Sequence, residues 1–307
     1  MGILSPVMSY VVDKELGFPI PSEKEKINKA IKRYRYILSQ HPNRADAPEI
    51  LFGIADLLVG RNEASDYGEA TKIFDSILHR NPPEYLKARA LVGKAELMIG
   101  SSSDFNDAIA LCEKARKILD ADYIDFFAAK TVAVEAELRL SRNDKGDWEK
   151  AVKLIDEVIR EKKANWYFKG RALLTKAEIL LYKKPQDLRT PLKMIDACLI
   201  QLKSRPDDYF SHKGRLLRAE ILIRREIKGD FERAEKLLTE VIRMKFAYKD
   251  LVARAKIDLA QIANHPKASK LISEVLEMEG LDPYLQEKAR NSQQTINDKK
   301  RKGKKDE

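Results

Sequence analysis

The residues with the readiest nucleophilic or metal-binding chemistry in this chain are four histidines, two cysteines and a run of three serines. His41, His79, His212 and His265 are scattered, and no spacing among them suits a shared metal ion. Ser101, Ser102 and Ser103 read as a turn, with no histidine close by in sequence to act as their base. Cys112 and Cys198 lie far apart inside helical patterns. That placement points to two buried free thiols in a reducing compartment. No glycine-rich loop of the phosphate-cradling kind is present. The sequence therefore predicts no catalytic residues, no metal and no cofactor.

The abundant charged residues are organised differently: they recur. Lys94-Ala95-Glu96, Glu135-Ala136-Glu137, Lys176-Ala177-Glu178 and Arg218-Ala219-Glu220 share the order polar, alanine, glutamate, and Asp56 and Asp258 close the series at its ends. These six acids are spaced 40, 41, 41, 42 and 38 residues apart. A second motif lies between them, reading acid, aromatic, two polar residues, alanine: Asp66 to Ala70, Asp104 to Ala108, Asp147 to Ala151 and Asp230 to Ala234. Asp187 to Pro191 is a variant, in which Thr190 is expected to cap a helix and Pro191 to take its first position. Looser copies begin near Ala30 and Ala268, giving intervals of 40, 38, 43, 40, 43 and 34 residues. Two independent motifs with one period identify a repeat protein.

Periodicity makes each half-repeat a helix. Ala88, Val92, Ala95 and Ile99 fall on one stripe at 100° per residue, as do Val152, Ile155 and Ile159. Alternating, strand-like runs are absent. Breakers such as Asn81-Pro82-Pro83, Lys184-Pro185 and Gly229 separate the segments. About fourteen helices in antiparallel pairs are expected between about Ser22 and Asn297, the last of them a polar cap.

The stretch from Ala88 to Gly100, with Val92-Gly93, followed by Asp104-Phe105-Asn106-Asp107-Ala108, resembles the tetratricopeptide repeat, Ala115 matching its later small residue. The resemblance covers most of residues 22–297, as six helix pairs with a single helix at each end. It implies an all-α, right-handed α-solenoid whose first helices line a concave groove that holds other proteins. The units run longer than the family's. Where the family has an aromatic pair in its first helix, this chain has Arg89 and Glu96, Lys130 and Glu137, Arg171 and Glu178, and Lys213 and Glu220. An isolated buried charge is expensive, so matched columns of opposite sign predict an internal ladder in which the acid of one repeat meets the base of the next, an exposed functional strip of charge being the alternative.

On the opposite flank of the first helices the resemblance places the partner-binding groove: Lys87, Lys94 and Met98, with Glu135, Lys176, Arg218 and Lys256 at the positions equivalent to Lys94. Four of those five equivalents are basic, which favours an acidic peptide or helix. The asparagines with which some relatives clamp a carboxylate tail are missing there.

With 307 residues, 44% hydrophobic and 35% charged, the chain has ample apolar material for a folded protein. Net charge is +10, of which the stretch 298–307 carries +3. No run is apolar enough to span a bilayer, and the N-terminus lacks a secretion-signal pattern. The expected organisation is an N-terminal extension (1–21), a solenoid (22–297) and a basic tail (298–307). The expected function is a monomeric, cytoplasmic interaction scaffold or adaptor working within a complex. Nucleic-acid binding through the basic groove and the Lys299–Lys305 tail is the alternative, weakened by the tail's lack of aromatic residues.

Overall fold

A computed structural model describes residues 24–42, 44–61, 65–99, 104–119, 125–206, 208–243 and 249–303. The expected N-terminal extension and the Ser101–Ser103 turn lie outside the described residues. Among those described there are fourteen helices and no strand. They are α1 (Lys24–Gln40), α2 (Ala47–Arg61), α3 (Asp66–His79), α4 (Glu84–Leu97), α5 (Phe105–Leu119), α6 (Phe126–Arg142) and α7 (Asp147–Arg160), then α8 (Trp166–Lys183), α9 (Arg189–Gln201), α10 (Tyr209–Arg225), α11 (Asp230–Ile242), α12 (Lys249–Ile262), α13 (His265–Leu276) and α14 (Pro283–Gly303). The two sequence motifs thus alternate, polar-alanine-acid in α2, α4 and onward, acid-aromatic at the start of α3, α7 and α11. Six hairpins, from α2–α3 to α12–α13, stand between the single helices α1 and α14. Helix α14 continues to Gly303, through the first basic residues of the tail.

The chain divides into two compact units inside α8, between Lys176 and Ala177. In the first unit each helix from α1 to α7 packs on the next, and α4 also packs on α6. In the second, α9 to α14 do the same, with α10 on α12 and α12 on α14. First helices therefore stack on first helices, which is the arrangement of a helical solenoid.

Composition explains which helix goes inside. Helix α6 buries 12 of its 17 residues and α4 buries 9 of 14, whereas α5 buries 4 of 15 and α7 buries 5 of 14. A helix buried all round needs small or apolar residues on every side, and α6 supplies Ala128, Ala129, Val132, Ala133, Val134 and Ala136. The second helices carry one apolar stripe, such as Ala151, Leu154, Ile155 and Val158, and turn the rest outward.

Gly93 marks a close approach between two hairpins. A Cβ at this position would lie 2.5 Å from Cζ of Phe74 on α3, so the ring fits only because residue 93 has no side chain. Turns are fixed locally. The Asp125 carboxylate accepts from the N–H groups of Phe127 and Ala128, both at 2.9 Å, and Asp208 accepts from that of Phe210 at 2.8 Å. Gly146 and Gly229 enter α7 and α11 at φ of 85° and 83°, a left-handed backbone that costs glycine little. At α9 the sequence expectation needs correction. Asp187, not Thr190, satisfies the helix start, accepting from the N–H groups of Arg189 and Thr190 at 3.1 Å, and Pro191 is the third helical residue. An aspartate two residues before the helix reaches the free N–H groups better than a side chain already inside the first turn.

Candidate partner-binding surface

The column of charges on the first helices forms the expected ladder. In the first unit, Nζ of Lys130 on α6 lies 2.6 Å from Glu96 on α4. Arg171 on α8 donates to Glu137 on α6 through Nε and Nη2, at 2.7 and 2.6 Å, and through Nη1 to Glu96 at 3.3 Å. Lys130, Glu96 and Arg171 are all buried. Burial opposes the charge on Arg171, but Glu137 and Glu96 outweigh it and hold the guanidinium above its ordinary pKa. Arg89 begins the column differently, with its guanidinium 4.1 Å from the centre of the Phe52 ring and 4.8 Å from that of Phe127.

In the second unit, Lys213 pairs with Glu178 at 2.9 Å, and Arg254 with Glu220 through two hydrogen bonds of 2.6 and 2.8 Å. Lys288 pairs with Asp258 at 3.1 Å. Each pair joins a first helix to the one before it. Burial, followed by the neighbouring Glu220 carboxylate, pushes the Asp258 carboxyl up to about 7 despite Lys288.

Three of the predicted groove residues, Lys94, Lys176 and Arg218, lie at the seam between hairpins. Lys94 pairs with Asp75 on α3 at 2.6 Å, Lys176 pairs with Asp156 on α7, and Arg218 pairs with Asp196 on α9 at 3.0 Å. The three acids are each five residues beyond the motif alanine or proline of the preceding second helix. In α11 that place is taken by Thr239, and Lys256 turns instead to Glu274 on α13, at 2.7 Å. Glu135 inverts the sign of the column because its surroundings are inverted: it is buried between Arg139, at 2.8 Å, and Arg116, at 3.4 Å. Lys87 pairs with Glu84 on its own helix at 3.3 Å. Met98 is half-buried against the core that includes Leu91, Ala95 and Cys112. The five basic positions thus carry local counter-charges, and the structure gives each its own partner instead of gathering them into one cluster.

A second recurring ion pair escaped the sequence reading. Arg61, Arg142 and Arg225 end their first helices and clasp Asp66, Asp147 and Asp230, five residues on, at the start of the second. The Arg142 clasp has two bonds, of 2.8 and 2.6 Å, and it holds the Asp147 carboxyl below the usual carboxylate range. All three aspartates are buried, whereas Phe231 in the same motif is 45% exposed. In these three copies the acid is the more deeply buried residue, whereas Asp104, in a fourth, is exposed and its neighbour Phe105 packs on the core. The repeated Arg-x4-Asp spacing would have revealed the clasp.

Both cysteines are free and buried, and burial raises their thiols, Cys112 well above its ordinary value and Cys198 to about 12. Such thiols are poor nucleophiles at neutral pH. Among the described residues no group of histidine, cysteine and carboxylate side chains is gathered to hold a metal, and no helix is long and apolar enough to cross a membrane.

Stacked helical hairpins with small residues at their contacts define the class: the chain has the tetratricopeptide-type α-solenoid fold. Solved structures with this fold include yeast Tom70, with a TM-score of 0.55, 16% identity, and coverage of 91% of this chain and 60% of that one. A signal-transduction ATPase with a tetratricopeptide-repeat sensor, from Pyrococcus horikoshii, gives 0.53 and 15%, covering 94% and 49%. Human IFIT1, solved as a dimer with m7Gppp-AAAA, gives 0.52 and 16%, covering 88% and 58%. The chain spans half to three-fifths of the length of these proteins. No protein-family model matches it, and no curated protein does.

Proposed function

We propose that this chain is a non-enzymatic interaction scaffold or adaptor that holds a peptide or partner subunit along the faces of its first helices, as part of a larger complex. The observation that carries this reading is the employment of its charged groups. The carboxylates and guanidiniums that an enzyme would converge on a pocket are instead paired across neighbouring helices. The tetratricopeptide-type likeness supports the same class. An acidic partner suits the seam, because its carboxylates would share or replace those of Asp75, Asp156 and Asp196 beside Lys94, Lys176 and Arg218. Lys87, Met98 and Lys256 complete the proposed surface, whereas Glu135, buried between Arg139 and Arg116, is withdrawn from it. Two buried free thiols suit a reducing compartment, and the cytoplasm is the location that goes with this reading.

The test is affinity purification from the native source with cross-linking mass spectrometry. A partner whose cross-links fall on Lys87, Lys94, Lys176 or Lys256, and which is lost on Lys94→Glu with Arg218→Glu, supports the proposal. A partner retained by that double variant contradicts the placement. RNA binding is the second reading, favoured by the run Lys299, Lys300, Arg301, Lys302 and by the RNA in the IFIT1 structure. A gel shift at physiological salt that disappears on deleting residues 298–307 would establish it in place of the first.

A further inference from the structure

The last hairpin, α12–α13, is built differently from those with the arginine clasp. From ladder acid to motif alanine it has 10 residues, Asp258 to Ala268, where the clasped hairpins have 14, such as Glu137 to Ala151. Ala263 stands where Arg61, Arg142 and Arg225 stand, each five residues after its ladder acid. The turn is thus four residues shorter and lacks the long side chain. At this corner, between α12, α13 and the overhanging α14, the second unit has an open cleft of about 540 Å³. Its floor is aliphatic, formed by Ile257, Ala260, Ala263, Ala268 and Ile296. Its rim carries Tyr284, 69% exposed, with His265, Glu287 and Lys288.

We propose that this cleft docks an acidic, amphipathic helical segment of a partner protein. Three features point to that occupant. The aliphatic floor accepts apolar side chains repeated every three or four residues, the anchors of a helix laid in a groove. Tyr284 offers a large ring at low ordering cost, a common centre of binding energy. Charge then sets the sign: α14 carries Lys288, Arg290, Lys299, Lys300, Arg301 and Lys302 against Glu287 and Asp298, a net +4. RNA is the poorer fit, since Tyr284 is the only ring besides His265 among the lining residues and the floor gives bases nothing to stack on. A second copy is also disfavoured. The lone helix at the other end, α1, turns Lys29, Lys32 and Arg35 outward and so has the same sign. This surface extends the scaffold reading to a second place on the chain and rests on it only for the class of partner.

The test uses the full chain with labelled isoleucine and alanine methyl groups. The probes are a designed peptide of about four helical turns, roughly 14 residues, with leucine at helical spacing among glutamates, a scrambled peptide of the same composition, a lysine-for-glutamate version, and single-stranded oligoadenylate RNA. The proposal expects the acidic amphipathic peptide alone to shift the methyl signals of Ile257, Ala260, Ala268 and Ile296. Ile296→Glu and Tyr284→Ala, both checked for an unchanged melting temperature, should each weaken its binding about tenfold. Tyr182→Ala, an exposed ring outside the cleft, should leave it unaltered. Absence of shifts, equal shifts from the scrambled or basic peptide or from RNA, or full-strength binding by Ile296→Glu each overturns the proposal. Failure here, with native-source cross-links still falling on Lys94 and Lys176, would leave the scaffold reading standing.

Discussion

At Gly93 a single hydrogen atom decides whether two hairpins can close. Adding a methyl group there drives it into the Phe74 ring, which is itself packed 6.1 Å from Phe52 and has little room to retreat. Gly93→Ala should therefore cost about 1–3 kcal/mol in urea unfolding, although alanine is the better helix former. Asp258 gives a second prediction, of opposite character. Its carboxyl is raised from an ordinary 3.8 to about 7 by burial and by Glu220, so the folded state binds this proton more tightly than the unfolded chain does. The group's contribution is fully present below about pH 4 and is lost as pH rises through about 7. Urea midpoints should fall between pH 5 and pH 7.5, and Asp258→Asn should flatten that slope. A slope that survives the substitution would place the titration elsewhere.

At the scale of the element, the clasp between Arg142 and the buried Asp147 ties the end of α6 to the start of α7. Removing the arginine leaves the buried carboxylate to Arg139, 3.5 Å away, and to the Asp144 N–H. Arg142→Ala should lower stability by about 2–3 kcal/mol, read as faster hydrogen exchange at that hairpin before the others. The hairpins themselves were legible, because two motifs kept one period and every helix had an apolar stripe or an apolar interior. The ladder was legible too: Lys130 and Glu137 recur as Arg171 and Glu178, and charges in columns at a buried face must neutralise each other. The clasp is harder to read, because the arginine stands five residues before Asp147, at the end of the preceding helix, and belongs to neither repeated motif. The local counter-charges of Lys94, Lys176 and Arg218 were not readable either. Their acids lie 19 to 22 residues away on another helix, and only packing brings them together. The cleft beside α14 follows from a missing clasp and a shortened turn, a difference between repeats that a search for their likeness passes over.

At the scale of the whole molecule, both units use one construction: first helices inside, second helices outside, and oppositely charged side chains lacing each first helix to the last. Such a construction places many of the basic residues in pairs between helices and leaves the two single helices, α1 at a net +5 and α14 at +4, with a clear excess of positive charge. It also explains why side chains capable of acid–base chemistry are spread along the fold as joints. The most direct measurement of this claim is a double-mutant cycle on Glu137 and Arg171. Glu137→Ala alone should lower the melting temperature by several degrees, since removing one partner of a buried pair costs about 3–5 kcal/mol. Adding Arg171→Met should restore much of the loss, with a coupling of about 1.5 kcal/mol or more. If the two substitutions are additive and neither moves the melting temperature, the charged columns do not join the hairpins and the account is wrong.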